Sequence, residues 1–466
     1  MQPLKKSLVG LVVGLLVVCG DFSSARGAVT LTTLISFGTT NGADPSAELL
    51  QAPDGSFYGT TQIGSSNNLG TVFKITSTGT FSNLLTFTGT GGAYPGANPA
   101  AGLVWGSNGT LFGTTEAGGA NGDGTVFALT TNGVFTNLVS FTGTNGAYPG
   151  ASPMSTLVWG TNGNLYGTTA YGGTNDYGSV FELAANGVFT SLISFTGTNV
   201  APIGASPYAG LLLGKDGNFY GATAFGGTND LSNGGDGTIF RMTPSGTLST
   251  LVSFNTTNGA VPQAVLVQGT DGNYYGTTFY GGSQGAGTIF KMTSGGALTT
   301  LFSFSNTNGA NPNAGLVQGL DGNFYGTTQL GDSNNDGTIF QITPAGLLTS
   351  LVSFGGTNGA YPVAELTPGT DGNFYGTAAS GTIAQGTVFR FPPPPVILKW
   401  WQTNSVMMFT WTAATGQVYQ VQFTTNLNPA AWNNLGATVI GTNALTTGSD
   451  TNQPGPRRIY RVGLLP

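Results

Sequence analysis

The chain has 466 residues, of which 39% are hydrophobic and only 6% are charged, and its formal net charge is −6. This composition is typical of a folded protein, and the sparse, acidic charge argues against a nucleic-acid-binding protein. The chain has no histidine, and its single cysteine is Cys19. Histidine-based catalytic triads, histidine metal sites and disulfides within the chain are therefore excluded.

Residues 1–28 have the pattern of a secretory signal peptide. A basic start is followed by an apolar run over residues 7–20, and Ala25 and Gly27 are small residues at the positions that a signal peptidase reads. The pattern predicts a secreted or cell-surface protein with no membrane span after cleavage. Lipid attachment at Cys19 is the alternative to plain cleavage.

Residues 29–391 are built from one motif, which reads Gly-Asn-Phe-Tyr-Gly-Thr-Thr at 322–328. Near-identical copies recur at intervals of 50 to 55 residues, which is typical of a repeat protein. The seven copies begin at Gly55, Gly109, Gly163, Gly217, Gly272, Gly322 and Gly372.

Each repeat reads as four short strands, here called strands A to D, separated by turn residues. In the sixth repeat the predicted strands cover residues 314–318, 323–328, 338–343 and 347–354. Seven such units predict an all-β fold, a seven-bladed β-propeller. One leucine of strand A in each repeat is expected to pack between the blades. These leucines are Leu49, Leu103, Leu157, Leu211, Leu266, Leu316 and Leu366.

The two ends of the array predict how the propeller closes. The array begins with a strand of type D at residues 29–37 and ends with a strand of type C at residues 386–391. The last repeat therefore lacks a fourth strand of its own. We expect the N-terminal strand to complete the seventh blade, because this would remove an exposed sheet edge.

Length differences between the repeats point to one variable face. The connection from strand D to the next strand A is longer in the second, third and fourth repeats, and the loop from strand B to strand C is longer in the fourth. Both connections lie on the same face of an up-and-down blade. Insertions in repeat proteins often mark the binding face.

The repeats resemble a known family. Asp-Gly-Asn-Phe-Tyr-Gly-Thr-Thr at 321–328, Gly-Thr-Ile-Phe at 337–340 and Ser-Phe followed by Asn-Gly-Ala-x-Pro within 303–312 are similar to the GloVer tandem repeat of exported bacterial proteins. The resemblance covers residues 29–391 and implies an extracytoplasmic, surface-associated protein. It implies no activity and no catalytic residues.

A second domain is predicted at the C-terminal end. Residues 392–395 form a stiff proline linker, and residues 396–466 contain no copy of the repeat. Strands are predicted at residues 406–411, 418–424, 438–441 and 458–462. The segment resembles fibronectin-III-like or immunoglobulin-like modules, which implies a small β-sandwich-like domain. The residues that carry the resemblance include Phe409, Trp411, Tyr419, Phe423, Trp432 and Tyr460.

Two glutamates are candidates for ligand binding or acid–base catalysis. Glu48 and Glu365 occupy one equivalent position in strand A of the first and seventh repeats, which meet where the ring is expected to close. Two acids near the mouth of the central channel of the predicted propeller could act as general acid and base, or contact a ligand or ion. The alternative is a pair of solvated rim residues. The other repeats carry Gly102, Thr156, Gly210, Val265 and Gly315 at this position.

Aromatic residues provide further candidates. The Phe-Tyr pairs of strand B recur at one structural position and are expected to be core residues. Tyr94, Tyr148 and Tyr361 precede prolines in the connections between strands D and A. They are expected to be exposed, which makes them candidates for ligand binding.

One loop has part of a calcium-binding pattern. Asp332, Asn334 and Asp336 place oxygen-bearing side chains at alternating positions before Gly337, but Thr343 stands where a calcium loop has its bidentate acid. The alternative is a polar turn. No cofactor is therefore expected, with calcium at this loop as the open exception.

Together these features predict an exported, surface-associated protein that binds a partner on the variable face and is not an enzyme. The expected partner is a glycan or a cell-surface protein, not a nucleic acid, and a monomer is expected. Two alternatives stay open. One is a structural surface or matrix protein without a discrete ligand, and the other is a polysaccharide-acting enzyme that uses Glu48 and Glu365.

Overall fold

The computed structural model describes residues 29–197, 203–228, 234–381, 385–404, 406–425, 427, 430–451 and 458–465. The predicted signal peptide at 1–28 lies outside these residues. The described part of the chain consists of strands and turns, and it contains no helix that could cross a membrane. Two compact units are present, a larger one of Leu31–Gly369 with Phe374–Phe391 and a smaller one that includes Thr370–Asn373 and Pro392–Pro466.

The larger unit contains the first 28 strands. They are β1 (Thr32–Ser36), β2 (Leu50–Gln51), β3 (Phe57–Thr61), β4 (Thr71–Ile75), β5 (Phe81–Thr86), β6 (Val104–Trp105), β7 (Thr110–Thr115), β8 (Thr125–Thr130), β9 (Phe135–Ser140), β10 (Val158–Trp159), β11 (Leu165–Thr169), β12 (Ser179–Leu183), β13 (Phe189–Ser194), β14 (Leu212–Leu213), β15 (Phe219–Thr223), β16 (Thr238–Met242), β17 (Leu248–Ser253), β18 (Val267–Gln268), β19 (Tyr274–Thr278), β20 (Thr288–Met292), β21 (Leu298–Ser303), β22 (Val317–Gln318), β23 (Phe324–Thr328), β24 (Thr338–Ile342), β25 (Leu348–Ser353), β26 (Thr367–Pro368), β27 (Phe374–Ala378) and β28 (Thr387–Phe391).

These strands form four-stranded antiparallel sheets, one for each repeat motif. Six sheets consist of four strands that follow one another in the chain, from β2–β5 to β22–β25. The remaining sheet has the order β1-β28-β27-β26, so β1 pairs with β28. The predicted all-β, propeller-like fold is confirmed.

The repeated motif forms strand B because its glycine allows close packing inside the sheet. In the sixth repeat Gly326 pairs with Phe340 of strand C. A Cβ atom on Gly326 would lie 2.7 Å from Cζ of Phe340 and 2.8 Å from Cδ2 of Leu316. The phenylalanine ring of strand C therefore covers the glycine, and all five residues of β23 are buried.

Strand D pairs with strand C through a register shift that recurs in the repeats. In the sixth repeat Ile339 pairs with Val352 and Phe340 pairs with Ser350, so Leu351 has no partner across the ladder. The same register shift occurs between strands C and D of the first five repeats. Such a β-bulge increases the twist of the outer strand.

Aromatic and leucine side chains fill the space between neighbouring sheets, as predicted. The first ring of a strand B lies against the second ring of the strand B before it, as in Tyr220–Tyr274 and Tyr275–Phe324, each with 4.1 Å between ring centroids. The seven leucines of strand A are at most 4% exposed.

Strand A is shorter than predicted. In the sixth repeat residues 314–318 are predicted, but only Val317–Gln318 pair with strand B. The carbonyl of Ala314 instead accepts a hydrogen bond at 3.0 Å from the Thr277 hydroxyl of the preceding repeat. Strand A therefore leaves its own sheet at its beginning, where its residues line a cavity.

The smaller unit contains seven more strands. They are β29 (Ile397–Thr403), β30 (Val406–Thr412), β31 (Val418–Thr424), β32 (Asn433–Asn434), β33 (Val439–Ile440), β34 (Leu445–Asp450) and β35 (Ile459–Leu464). They form a three-stranded sheet, β29-β30-β34, and a second sheet in which β31 pairs with β32, β33 and β35. Trp411 and Tyr419 lie in the core of this unit. Its assignment to the fibronectin-III-like or immunoglobulin-like modules stays a prediction.

Candidate functional site

The beginnings of the seven strands A line a cavity of about 1220 Å³ in the larger unit. Each repeat contributes the residue that follows the last proline of its D–A connection. These residues are Ser46, Ala100, Met154, Tyr208, Gln263, Asn313 and Val363. The cavity is thus bounded by one equivalent stretch from every repeat.

The turn that enters the cavity has left-handed backbone at the residue before proline. The φ angles there lie between 51° and 58°. Non-glycine residues rarely adopt this region, so the same turn in every repeat reflects a common constraint on where the chain enters the cavity. These residues are Asp44, Asn98, Ser152, Ser206, Val261, Asn311 and Tyr361.

The D–A connections and the B–C loops lie on one face, as predicted from the insertions. Each D–A connection forms a β-bridge with the start of the B–C loop of the repeat that it enters. The bridges are Ala43–Ile63, Ala97–Ala117, Ala151–Tyr171, Ala205–Phe225, Ala260–Tyr280, Ala310–Leu330 and Ala360–Ser380. The cavity is lined by residues of both connections, so it adjoins this face.

Glu48 reaches from the first repeat to the third. Its Oε1 accepts a hydrogen bond from the hydroxyl of Thr156 at 2.5 Å, and that hydroxyl accepts one from the backbone N–H of Gly102 at 3.0 Å. A Cβ atom on Gly102 would lie 2.5 Å from Oε1 of Glu48. Glycine in the second repeat therefore makes room for the glutamate side chain.

Glu365 lies against the sixth repeat in a similar way. A Cβ atom on Gly315 would lie 2.6 Å from Oε2 of Glu365 and 3.0 Å from the carbonyl oxygen of Val265. Burial, and secondly the negative charge of Glu48, raise the pKa of Glu365 to about 8. At neutral pH the Glu365 carboxyl is therefore mostly uncharged and can donate a hydrogen bond.

Acidic groups are concentrated in this cavity. Three of the four glutamates of the chain line it, namely Glu48, Glu116 and Glu365, together with Asp44. Burial raises the pKa of Glu116, and burial opposed by a hydrogen bond from Ser46 raises that of Asp44. No lysine or arginine is among the described residues that line the cavity.

Uncharged polar groups complete the lining. The Gln263 amide donates to Oδ1 of Asn313 at 2.5 Å, and the hydroxyls of Tyr171 and Tyr208 are 2.9 Å apart. Burial, and then the neighbouring Tyr171 hydroxyl, raise the pKa of Tyr208 to about 12, so this phenol stays protonated. The cavity therefore offers donors and acceptors without a positive charge.

This arrangement can perform acid–base chemistry. An uncharged carboxylic acid can give a proton to a leaving group, and a carboxylate can take one from water. The raised pKa of Glu365 suits the first role, and Glu48 lines the same cavity. Thr156 holds the Glu48 carboxylate in place, while Gly102 and Gly315 give both side chains their space.

The structure separates the three tyrosines predicted as ligand-binding residues. Tyr361 lines the cavity. Tyr94 packs edge-on against Phe135, and Tyr148 against Phe189, with centroid distances of 5.7 and 5.4 Å. Both phenylalanines begin outer strands, so Tyr94 and Tyr148 lie away from the two glutamates. Their role in ligand binding stays a prediction.

Asp332, Asn334 and Asp336 form a turn with their backbone and amide groups. The N–H of Asp332 donates to Asn306 O at 2.6 Å, the Asn334 amide donates to Phe354 O at 3.1 Å, and Asp336 O accepts from the N–H of Tyr361 at 2.9 Å. Among the described residues no three Asp, Glu, His or Cys side chains are arranged to hold a metal ion. Calcium binding at this loop stays a prediction.

Lining residues that were not predicted from the sequence include Asp44, Glu116 and Tyr208. Comparing the repeats position by position could have found them, because each is an acid or a ring where the other repeats carry smaller or uncharged residues. Gly102 and Gly315 were noted only as the residues equivalent to the glutamates. Only the three-dimensional structure shows that these two glycines leave room for the side chains of Glu48 and Glu365.

Comparison with protein families gives one match. The model of the Gloeobacter/Verrucomicrobia repeat family matches residues 22–154, 96–235 and 229–429. A comparison with curated proteins finds no match.

Several solved structures are similar in fold at low sequence identity. The periplasmic gluconolactonase of Pseudomonas aeruginosa is 16% identical with a TM-score of 0.44, over 70% of this chain and 95% of that one. A candidate 6-phosphogluconolactonase of Bacteroides uniformis is 15% identical with a TM-score of 0.42, over 84% and 98%. A puromycin hydrolase is 13% identical with a TM-score of 0.47, over 82% of this chain and 62% of that one.

These similarities correct the expectation of a non-catalytic binding protein, which is wrong. The similar structures are described as lactonases and a hydrolase. The expectation had relied on the variable loop-bearing face and on Glu48 and Glu365 as the only acids expected to converge, whereas Asp44 and Glu116 line the same cavity. At this level of similarity the structures indicate the fold, and any reaction has to be argued from the site.

Proposed function

The chain belongs to the Gloeobacter/Verrucomicrobia repeat family, and we propose that its seven repeats form a closed ring whose central cavity hydrolyses a glycosidic bond in a neutral saccharide. The observation that carries the proposal is the pair Glu48 and Glu365. Both project into one cavity, and neighbouring glycines make room for both.

Contacts between the first and last repeats support the closed seven-bladed ring. The Thr377 hydroxyl donates to Ala47 O at 3.1 Å, as Thr60 donates to Ala101 O at 3.1 Å between the first and second repeats. Phe57 and Tyr375 have ring centroids 4.1 Å apart, which repeats the packing found between other neighbouring sheets. The last repeat is thus joined to the first by the same contacts that join consecutive repeats.

The proposed reaction is a hydrolysis with one acid and one base. Glu365 donates its proton to the oxygen of the leaving sugar, while Glu48 takes a proton from the attacking water. The carbon–oxygen bond of the glycoside breaks, the water oxygen bonds to the sugar carbon, and both products carry hydroxyl groups. Exchange of protons with solvent restores the two carboxyl groups.

The lining supports a neutral saccharide as substrate. Amide and hydroxyl groups such as those of Gln263, Asn313 and Tyr361 can hydrogen-bond sugar hydroxyls. An anionic ligand would find carboxyl groups and no cationic side chain among the described lining residues. This charge distribution disfavours phosphorylated sugars.

Activity of the chain from residue 29 onward against neutral aryl glycosides and polysaccharides tests the proposal. Glu365→Gln keeps the size of the side chain but removes the acid, and we expect it to lower kcat roughly 100-fold or more. Glu48→Gln should have a comparable effect. The pH profile should lose activity on the alkaline side as Glu365 ionises near its pKa of about 8.

Glu182→Gln is the matched control. Glu182 is the one glutamate that does not line the cavity, and it accepts hydrogen bonds from Asn164 and Tyr166. Equal activity in Glu365→Gln and Glu182→Gln would contradict the assignment. Hydrolysis of sugar lactones with no turnover of any glycoside would contradict the proposed reaction.

Two further proposals rest on the sequence. Export to the outside of the cell is supported by the pattern of residues 1–28, and calcium binding is supported by the spacing of Asp332, Asn334 and Asp336.

A further inference from the structure

Three aromatic side chains form a continuous surface beside the cavity. The rings of Tyr171 and Tyr208 have centroids 6.4 Å apart and cross at 80°, and those of Tyr208 and Phe225 are 6.5 Å apart and cross at 78°. The hydroxyls of Tyr171 and Tyr208 are 2.9 Å apart. We call Tyr171, Tyr208 and Phe225 the aromatic arc.

The aromatic arc is both exposed and continuous with the cavity. Tyr171 and Tyr208 line the cavity, whereas Tyr171 is 44% and Phe225 37% exposed. Aromatic rings that stay exposed beside a cavity do not add to the stability of the fold through burial. Contiguous exposed apolar surface of this kind marks binding sites.

The arc is confined to one side of the ring of repeats. Tyr171 and Phe225 occupy the position that bridges to an alanine of the D–A connection, and Tyr280, 51% exposed, occupies it in the fifth repeat. The remaining repeats carry Ile63, Ala117, Leu330 and Ser380 there. A packing need common to all repeats would place rings in all of them, so the arc has a separate cause.

The polar groups beside the arc select the kind of ligand. The described residues that line the cavity include amides, hydroxyls and carboxyls but no lysine or arginine. The flat faces of sugar rings present C–H groups that pack on aromatic rings, while their edges present hydroxyls for amides and carboxyls. A neutral saccharide matches both parts of this surface.

We propose that the aromatic arc is a sugar-binding subsite next to Glu48 and Glu365, and that the substrate is therefore an oligosaccharide or polysaccharide rather than a single sugar. This inference rests on the proposed function for the bond that is cleaved. One sugar ring lies on the arc while the next linkage reaches the two glutamates inside the cavity.

Binding to the full chain carrying Glu365→Gln separates this inference from catalysis. Titration calorimetry with neutral oligosaccharides of increasing length should give affinity that rises with length. Tyr171→Ala or Phe225→Ala in the same background should weaken binding about threefold to tenfold, because a ring contact is lost at the surface. Tyr177→Ala is the matched control, since Tyr177 is 45% exposed but belongs neither to the cavity lining nor to the aromatic arc.

The outcomes distinguish the two proposals. Arc-dependent binding in a protein that cleaves no glycoside would overturn the proposed function and keep the subsite. Equal affinity in Tyr171→Ala, Phe225→Ala and Tyr177→Ala would overturn the subsite, whether or not the protein is active. Binding of tetramethylammonium through the arc, with no saccharide bound, would replace the inference by a cation site.

Discussion

At the scale of single residues, a buried pair of hydroxyl groups recurs in the repeats. The side chain at the end of strand B meets the one at the start of strand C at 2.8 Å in Thr61–Thr71, Thr115–Thr125, Thr169–Ser179, Thr223–Thr238, Thr278–Thr288 and Thr328–Thr338. In the seventh repeat Ala378 faces Thr387, whose buried hydroxyl has no hydrogen-bond partner among the described residues. The repeat therefore lacks a bond that its neighbours have.

Ala378→Thr should restore this pair and stabilise the protein by about 1 kcal/mol, because an unsatisfied buried hydroxyl gains a partner. Chemical denaturation measures the change. Thr328→Ala in the sixth repeat is the mirror variant and should destabilise by about 1–2 kcal/mol, since it leaves Thr338 without its partner. A lower stability for Ala378→Thr would show that the position is too crowded for threonine.

The glutamates could be predicted from the sequence because the repeats provide their own comparison. Glu48 and Glu365 stand where five other repeats carry uncharged residues. Their surroundings could not be predicted, because Glu48 contacts Thr156, more than one hundred residues away, across an intervening repeat. Tyr94 and Tyr361 look alike in sequence, yet only the latter lines the cavity, because Tyr94 lies in the four-residue insertion.

At the scale of strands, β1 depends on a partner from the other end of the array. Thr32–Ser36 pairs with β28, and Phe37 is buried against Phe73 and Phe81. The N–H of Phe37 also donates to Gly386 O at 2.8 Å. The N-terminal segment therefore contributes both the β1–β28 ladder and the buried ring of Phe37.

A chain that begins at Gly38 should lose more than about 3 kcal/mol of stability, because burying Phe37 alone contributes on that scale. Thermal unfolding followed by circular dichroism measures the loss. A chain that begins at Leu31 keeps β1 and should unfold at the temperature of the longer chain. Equal melting temperatures for the two truncations would mean that β1 contributes nothing.

Strands B, C and D could be predicted well, whereas strand A and the smaller unit could not. Strands B to D are bounded by glycine turns and carry repeated aromatic residues, so the pattern fixes them. The ladder of strand A is cut to two residues by hydrogen bonds to the neighbouring repeat, which leave no local signal. In the smaller unit β29, β32 and β34 were missed, since no repeat marks their limits.

At the scale of the whole molecule, the acidic cavity should make stability depend on pH. The pKa of Glu365 is raised from an ordinary 4.5 to about 8, and those of Asp44 and Glu116 are also raised. Over this interval the folded state binds more protons than the unfolded chain. Stability should therefore fall as pH rises from about 4.5 to about 8, by an amount on the order of 5 kcal/mol for Glu365.

Glu365→Gln should flatten this dependence and become the more stable protein at alkaline pH. Denaturant midpoints measured for both proteins across the interval test it. Glu182→Gln is the control, because burial raises the pKa of Glu182 but its hydrogen bonds together outweigh burial and lower that pKa. Parallel curves for Glu365→Gln and the unsubstituted protein would show that Glu365 is charged in the folded state.

The pairing of β1 with β28 also determines when during synthesis the fold can be completed. Thr32 leaves the ribosome long before Arg390, its partner in the ladder. During synthesis the repeats can stack one on another as each is completed, but β1 stays without its partner until the last repeat emerges. An interrupted or shortened synthesis would release an incomplete set of stacked sheets in which β1 has no partner. Such unpaired strand edges promote aggregation and the binding of chaperones.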